Sequence, residues 1–125
     1  MHGASVTVLL ADDSDMMSKA IRSVLSLEPK IDLLGEARTL PEAVKMAALL
    51  RPNVILLDLH MPDGEGFEPS IVKVELLSCT DRIIAMSMLN DGATKALAQA
   101  YGASILLDKV NLGIELVPTL LSTRH

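Results

Sequence analysis

The sequence predicts an α/β fold in which helices cover both faces of a doubly wound, five-stranded parallel sheet. Five short runs rich in Val, Ile and Leu recur along the chain, and most are continuous rather than alternating. Continuous apolar runs are typical of strands that are buried on both faces. The segments between them carry apolar residues at spacings of three and four, as amphipathic helices do. A length of 125 residues corresponds to one ordinary domain, which we expect to span residues 1–125.

Strands and helices alternate from the start of the chain. The predicted strands are residues 6–11, 31–37, 54–57, 83–88 and 104–107. The first helix presents an apolar face at helical spacing, formed by Met17, Ala20, Ile21, Val24 and Leu25. Thr39 and Glu42 form a capping-box pattern for the second helix, and Pro41 is tolerated in its first turn. That helix is expected to end at residues 51–53.

The three later helices continue this alternation. The third helix is expected to begin at Gly66 and to face inward through Ile71, Val74 and Leu77. Residues 90–91 can cap a fourth helix over 93–101, which the following glycine can end. The fifth helix is expected over about 112–121, and Pro118 inside it predicts a kink or a break, because proline removes an internal hydrogen bond.

Composition and charge exclude several functions. The chain has 11 basic and 16 acidic residues, no Trp, and only Phe67 and Tyr101 as aromatics. This balance argues against a nucleic-acid surface and against base-stacking platforms. No apolar run approaches the roughly 18–20 residues of a membrane span, and the amino terminus lacks a signal-peptide pattern. Cys79 is the single cysteine, so we expect no internal disulfide and a cytoplasmic, reducing location.

Polar residues that can carry chemistry follow four of the predicted strands. Asp12 and Asp13 end the first strand, Asp58 the third, Ser87 lies at the end of the fourth, and Lys109 follows the fifth. In doubly wound sheets the ligand site lies outside the carboxyl ends of the strands. If these strands are neighbours, three carboxylates, a hydroxyl and an ammonium therefore meet at one edge of the sheet.

This combination favours phosphate chemistry with a metal. Clustered carboxylates raise one another's pKa values, and a divalent cation offsets that cost. Mg²⁺ suits one or two carboxylates together with phosphate oxygens. Lys109 and the Ser87 hydroxyl can bind the remaining phosphate oxygens, and a central carboxylate can act as a nucleophile toward phosphorus.

Each of these residues also has an ordinary structural explanation. The aspartate pair, or Ser14 beside it, could cap the first helix. Asp58 could belong to a turn, Lys109 to the solvated surface, and Ser87 to a neutral strand end. Their shared position at the carboxyl ends of different strands favours the functional interpretation.

Four segments resemble the receiver domain of bacterial two-component response regulators. Residues 10–14 carry the Asp-Asp pair, 55–66 the Leu-Asp-x-x-Met-Pro sequence with a later glycine, 84–87 a terminal serine, and 102–109 the lysine. The resemblance covers essentially the whole chain and is closest to receivers that precede a helix-turn-helix output domain. It implies a flavodoxin-like strand order, 2-1-3-4-5.

The resemblance implies a role for each residue of the site. Asp58 resembles the residue that accepts a phosphoryl group from a sensor histidine kinase. Asp13, Asp58 and the backbone carbonyl of His60 resemble direct ligands of Mg²⁺, while Asp12 resembles a ligand that acts mostly through water. Ser87 resembles the hydroxyl that turns toward the phosphoryl group.

The resemblance also extends to the lysine and to binding partners. Lys109 resembles the lysine that pairs with Asp58 and later with a phosphoryl oxygen. The implied partners are a sensor histidine kinase, a second copy of the chain and, within a longer chain, a DNA-binding output domain. We expect no membrane contact and no direct nucleic-acid contact by this domain.

Three positions depart from the family pattern. Leu106 stands where receivers usually carry Tyr or Phe, which questions the coupled movement of that aromatic with the serine. Val110 replaces a common proline after the lysine, and a cis bond there would cost about 2.5–4 kcal/mol. Met88 replaces a small residue, so we expect it to narrow access to Asp58 and to slow phosphorylation by small donors.

Three other functions are weighed against this one. A haloacid-dehalogenase-like phosphatase needs an aspartate two residues after the nucleophile, where this chain has His60. A flavodoxin-like cofactor site would meet the acidic segment 11–15, which repels phosphate. A receiver-shaped interaction module without phosphorylation is favoured by Leu106 and Met88 but opposed by the complete acidic set.

Overall fold

The structure is a computed structural model that describes residues 5–61 and 67–122. Its strands are β1 (Val6–Ala11), β2 (Ile31–Ala37), β3 (Val54–Asp58), β4 (Arg82–Ser87) and β5 (Ala103–Asp108). Its helices are α1 (Asp15–Ser26), α2 (Leu40–Leu50), α3 (Pro69–Leu77), α4 (Gly92–Ala100) and α5 (Leu112–Leu121), with a short 3₁₀ turn at Lys109–Asn111.

The five strands form one parallel sheet in the order β2-β1-β3-β4-β5, which confirms the predicted fold. All five residues of β3 are buried, as expected for a central strand covered on both faces. The predicted fourth strand was misplaced by one residue, because β4 ends at Ser87 and Met88 lies beyond it, 60% exposed.

Two apolar cores lie on opposite faces of the sheet, since alternate side chains of each strand point to opposite sides. One face is covered by α2, α3 and α4, and Leu9, Ile55 and Leu57 belong to its core. The other face is covered by α1 and α5, and its core includes Leu10 and Leu56. Each buried leucine contributes about 1.5–3 kcal/mol to the free energy of folding, so the two apolar cores stabilise the sheet between the helix layers.

The helix ends follow the predicted capping in the first half of the chain. Ser14 caps α1, and its Oγ accepts the Met17 N–H at 3.1 Å. The Thr39 hydroxyl caps α2 by accepting the Glu42 N–H at 3.2 Å. The Glu42 carboxylate accepts the N–H of Arg38, one residue before the cap, so the capping box is displaced by one position.

Two predicted helix faces need correction. In α1, Ala20 is exposed, and the fully buried face consists of Ser18, Ile21 and Leu25. In α3, the buried residues are Val72 and Leu76. The residues predicted to face inward are exposed instead: Ile71, Val74 and Leu77. Because α3 is apolar nearly all round, its periodicity does not determine which side is buried.

The starts and ends of the later helices are as follows. The predicted start of the third helix, Gly66, lies outside the described residues, and α3 begins at Pro69. Asp91 caps α4 by accepting the Thr94 N–H at 2.9 Å, and Gly102 follows with a φ of +86° that favours glycine. Of the kink or break predicted at Pro118, the break is wrong, because α5 continues through this residue, and the kink stays a prediction. Three leucines four residues apart hold its buried face: Leu112, Leu116 and Leu120.

Among the described residues, none of the helices is both long and apolar enough to cross a membrane.

Candidate functional site

The candidate site lies at the carboxyl edge of the sheet, where β1, β3, β4 and β5 end side by side. Parallel pairing aligns Asp58 of β3 with Met86 of β4, and Ser87 of β4 with Asp108 of β5. The chain therefore brings residues separated by up to about a hundred positions to one edge, as the strand-end pattern predicts.

Asp12 is held in place rather than acting as a helix cap. It is 1% exposed, and its Oδ1 accepts the N–H of Ser14 at 2.9 Å. Its own N–H donates to the Ala37 carbonyl at 3.0 Å. Since Ser14 caps the helix, the aspartate pair is available for another purpose, and the neighbouring Asp13 is exposed.

Lys109 is buried between two carboxylates and is not a solvated surface lysine. Its Nζ lies 2.8 Å from Asp12 Oδ2 and 3.4 Å from Asp58 Oδ1, and its side chain is 8% exposed. The 3₁₀ turn that begins at Lys109 is capped by Asp108, whose Oδ1 accepts the Val110 N–H at 2.9 Å. No peptide bond among the described residues is cis, so Lys109–Val110 is trans.

The pKa of the Asp58 carboxyl is raised above its ordinary value. Burial raises its pKa above the ordinary value, and the negative charge of Asp12 raises it further. The His60 N–H, which donates to Asp58 Oδ1 at 3.1 Å, lowers this pKa, as does the Lys109 ammonium. Among the described residues, both the His60 N–H and the Lys109 ammonium contact Oδ1 of this carboxylate.

The three aspartates fit a divalent cation. Asp12, Asp13 and Asp58 each offer a carboxylate oxygen, and these oxygens lie within 4.8 Å of one another. Asp12 Oδ2 is buried and is in ionic contact with Lys109, yet no donor among the described residues meets it with hydrogen-bond geometry. Hard carboxylate oxygens in such a cluster are the ligands that Mg²⁺ prefers. Two of the three residues are buried, and the exposed Asp13 leaves the cluster open to solvent on one side.

Ser87 and His60 are in contact at the same edge. Ser87 is fully buried, and its Oγ accepts the N–H of Leu89 at 3.0 Å. The same Oγ lies 3.1 Å from Nε2 of the exposed His60 ring. The sequence predicted a role for His60 only through its backbone carbonyl, and this contact of its side chain was missed. The available signal was the position of His60 two residues after a strand that neighbours the strand of Ser87.

The positions that depart from the family pattern lie around the site. Met88 is exposed just after β4. Leu106 on β5 is partly buried and packs against the core that contains Tyr101. Tyr101 is 6% exposed at the end of α4, so it is a core residue. Whether Leu106 and Met88 alter switching or access stays a prediction.

Residues 8–119 match the family described as the response regulator receiver domain. The Escherichia coli nitrate/nitrite response regulator protein NarL is 34% identical over 97 residues, which are 78% of this chain and 44% of that protein. A Pyrococcus abyssi protein-glutamate methylesterase/protein-glutamine glutaminase is 30% identical over 118 residues, which are 93% of this chain and 32% of that protein. The chain thus spans less than half the length of these curated relatives.

Solved structures show the same fold. The response regulator domain of Thermotoga maritima CheB has a TM-score of 0.77 at 24% identity, covering 93% of each chain. A chain from the complex of the CheA3 P1 domain with CheY6 of R. sphaeroides has a TM-score of 0.76 at 28% identity. That match covers 94% of this chain and 95% of the other.

Proposed function

Because this chain belongs to the response regulator receiver domain family, we propose that Asp58 accepts a phosphoryl group from a sensor histidine kinase in a Mg²⁺-dependent reaction. One observation carries the proposal. The Asp58 carboxyl is buried beside the Lys109 ammonium and the acidic pair, and both the His60 N–H and the Lys109 ammonium contact its Oδ1. Such a carboxylate is positioned as a nucleophile rather than as a structural ion-pair partner.

The chemistry follows from the charges of the site. An Asp58 oxygen attacks phosphorus, the bond from phosphorus to the donor imidazole nitrogen breaks, and its electron pair stays on that nitrogen, which takes up a proton. The cluster has three carboxylates, of which Asp12 and Asp58 contact the one ammonium, so two negative charges remain before the phosphoryl group arrives. Mg²⁺ held by Asp12, Asp13, Asp58 and the His60 carbonyl would supply the missing positive charge. Lys109 would pair with a phosphoryl oxygen once Asp58 carries the acyl phosphate.

Ser87 would then sense the modified carboxyl. Its hydroxyl is buried at the end of β4, and β4 pairs with the strand that carries Asp58. A hydrogen bond to a charged phosphoryl oxygen is stronger than one to a neutral acceptor, so the Ser87 side chain would turn toward the phosphoryl group. In this proposal the domain is regulatory and forms one labile adduct instead of turning over a substrate.

The partners are proposed from the same family membership. Relatives carry receivers within longer regulators such as NarL, and one similar solved chain comes from a complex of CheA3 with CheY6. We therefore propose a cytoplasmic receiver that responds to a histidine kinase and controls an output domain or a partner. Homodimerisation would use the face of α4, β5 and α5, where a groove of about 500 Å³ is lined by residues that include Lys95, Leu106 and Glu115.

A second function has specific support from two side chains. Leu106 provides no aromatic ring to move with Ser87, and the exposed Met88 borders the site. Both favour a receiver-shaped interaction module in which phosphorylation no longer drives switching. The buried Lys109 and the complete acidic cluster support phosphorylation more strongly, since an unused cluster of this kind costs stability.

The proposed function is tested by adduct formation on the whole chain. With Mg²⁺ and acetyl phosphate, intact-mass spectrometry should show the gain of one phosphoryl group, and Asp58→Asn should abolish it. Asp32→Asn is the matched control, because it removes the same charge from an exposed residue of β2. Unchanged adduct formation in Asp58→Asn, or steady release of phosphate from a phosphate monoester, would overturn the proposal.

A further inference from the structure

We propose that His60 is a positioning residue that holds the Ser87 hydroxyl and competes for it with a phosphoryl group on Asp58. The observation is the 3.1 Å contact between His60 Nε2 and Ser87 Oγ. This inference rests on the proposed function, because the competitor is the phosphoryl group of that reaction.

The hydrogen bonds of Ser87 leave little capacity for a second partner. A serine hydroxyl has one proton to donate and two lone pairs to accept with. The Leu89 N–H occupies one lone pair at 3.0 Å. If His60 Nε2 is unprotonated, it takes the only hydroxyl proton, and if it is protonated, it takes the second lone pair. With an unprotonated Nε2, the His60–Ser87 contact must therefore break before Ser87 can donate its proton to a phosphoryl oxygen. With a protonated Nε2, the hydroxyl proton is free, and the contact instead holds the Ser87 side chain in the rotamer that it must leave to turn toward Asp58.

His60 is anchored so that it touches both groups of the proposed reaction. Its N–H donates to Asp58 Oδ1, while its ring reaches Ser87 on the neighbouring strand. The ring and the N–H that donates to the Asp58 carboxylate therefore belong to the same residue. Modification of Asp58 therefore changes the surroundings of both the backbone N–H and the ring of His60.

The difference in exposure decides when the contact breaks. His60 is exposed, so a released ring is hydrated by solvent. Ser87 is fully buried, so its hydroxyl loses a partner that water does not easily replace. Release becomes favourable when a phosphoryl oxygen takes the place of the ring. The contact thus stabilises the unphosphorylated arrangement.

The experiment uses beryllofluoride as a mimic of the phosphoryl group and measures its affinity by calorimetry in saturating MgCl₂. His60→Leu removes the ring hydrogen bond but keeps the backbone N–H to Asp58. It should bind beryllofluoride about threefold to tenfold more tightly than wild type, the equivalent of one partly exposed hydrogen bond. His60→Gln is the matched control, because its side-chain amide can reach the position of Nε2, and it should retain wild-type affinity.

A double-mutant cycle separates positioning from a general effect of the substitution. In a Ser87→Ala background, His60→Leu should leave the affinity unchanged, because the hydroxyl it released is gone. A second readout needs no metal: NMR couplings of Ser87 in the metal-free protein should report one side-chain rotamer in wild type and averaged rotamers in His60→Leu. Thermal unfolding of each variant checks that the exposed substitution leaves the fold intact.

The outcomes are distinguishable. Equal affinities for wild type and His60→Leu, or the same gain in the Ser87→Ala background, would overturn the role of His60 while the proposed function stands. Absence of beryllofluoride binding by the wild type itself would overturn the proposed function, and this inference with it.

Discussion

Replacing Lys109 by methionine should strongly destabilise the protein at neutral pH. The ammonium lies 2.8 Å from Asp12 Oδ2 and 3.4 Å from Asp58 Oδ1, and the three side chains are at most 8% exposed. Methionine keeps an apolar stem of similar length but removes the charge. Two buried carboxylates then remain near each other without a counter-charge.

The magnitude follows from the burial of the cluster. Removing one partner of a buried ion pair costs about 3–5 kcal/mol. Because the exposed Asp13 lets solvent approach one side, we expect the lower end of that range, about 3 kcal/mol. For a domain of this length, each kcal/mol lowers Tm by about 4 °C, so Tm should fall by about 12 °C.

Urea unfolding at neutral pH without divalent cations measures this loss. Lys19→Met, an exposed position on α1, is the matched control and should stay within about 0.5 kcal/mol of wild type. Because the Lys109 ammonium lowers the pKa of Asp58, its removal raises that pKa further, and the loss should shrink as acid protonates the carboxyl. A loss no larger than that of Lys19→Met, or one that acid does not reduce, would refute the reasoning.

Three further outcomes are expected. Asp58→Asn should raise the free energy of unfolding at neutral pH without Mg²⁺, since burial raises the folded-state pKa of this carboxyl. This gain in stability should be absent at a pH below 3.8, the ordinary pKa of the carboxyl, and should appear as the pH rises through the raised pKa of the folded state. Urea unfolding below pH 3.8 and at neutral pH checks the sign. Leu76→Ala should cost about 2–5 kcal/mol in urea unfolding and Leu77→Ala about 1 kcal/mol or less, whereas equal losses would contradict the corrected face of α3. Met88→Ala should speed phosphorylation by acetyl phosphate, and an unchanged rate would show that Met88 does not narrow access.

The sheet and the location of the site were predictable because local patterns determine them. Continuous apolar runs mark strands buried on both faces, and the polar residue that ends each run marks the carboxyl edge. Asp12, Asp58 and Ser87 were found in this way, and Lys109 was found one residue beyond β5. Parallel pairing then brings them together without further information from the sequence.

Side-chain detail depends on tertiary packing and was not predictable in the same way. The buried side of α3 is set by its contact with the sheet, because apolar residues occupy almost every side of that helix. The continuity of α5 through Pro118 depends on buried leucines that outweigh one missing hydrogen bond. The His60–Ser87 contact joins residues 27 positions apart. Their places at neighbouring strand ends indicate that they are near each other, but the rotamers that bring Nε2 to Oγ are set by tertiary packing.

The most direct measurement locates the phosphoryl group after transfer from phosphorylated histidine kinases. The whole chain, incubated with each kinase and Mg²⁺, is reduced with borohydride, which converts an acyl phosphate at aspartate into homoserine. Peptide mass spectrometry should then find homoserine at position 58, and none after the Asp58→Asn substitution. Conversion at another carboxylate, or adduct formation that survives Asp58→Asn, would contradict the central claim that Asp58 is the phosphoryl acceptor.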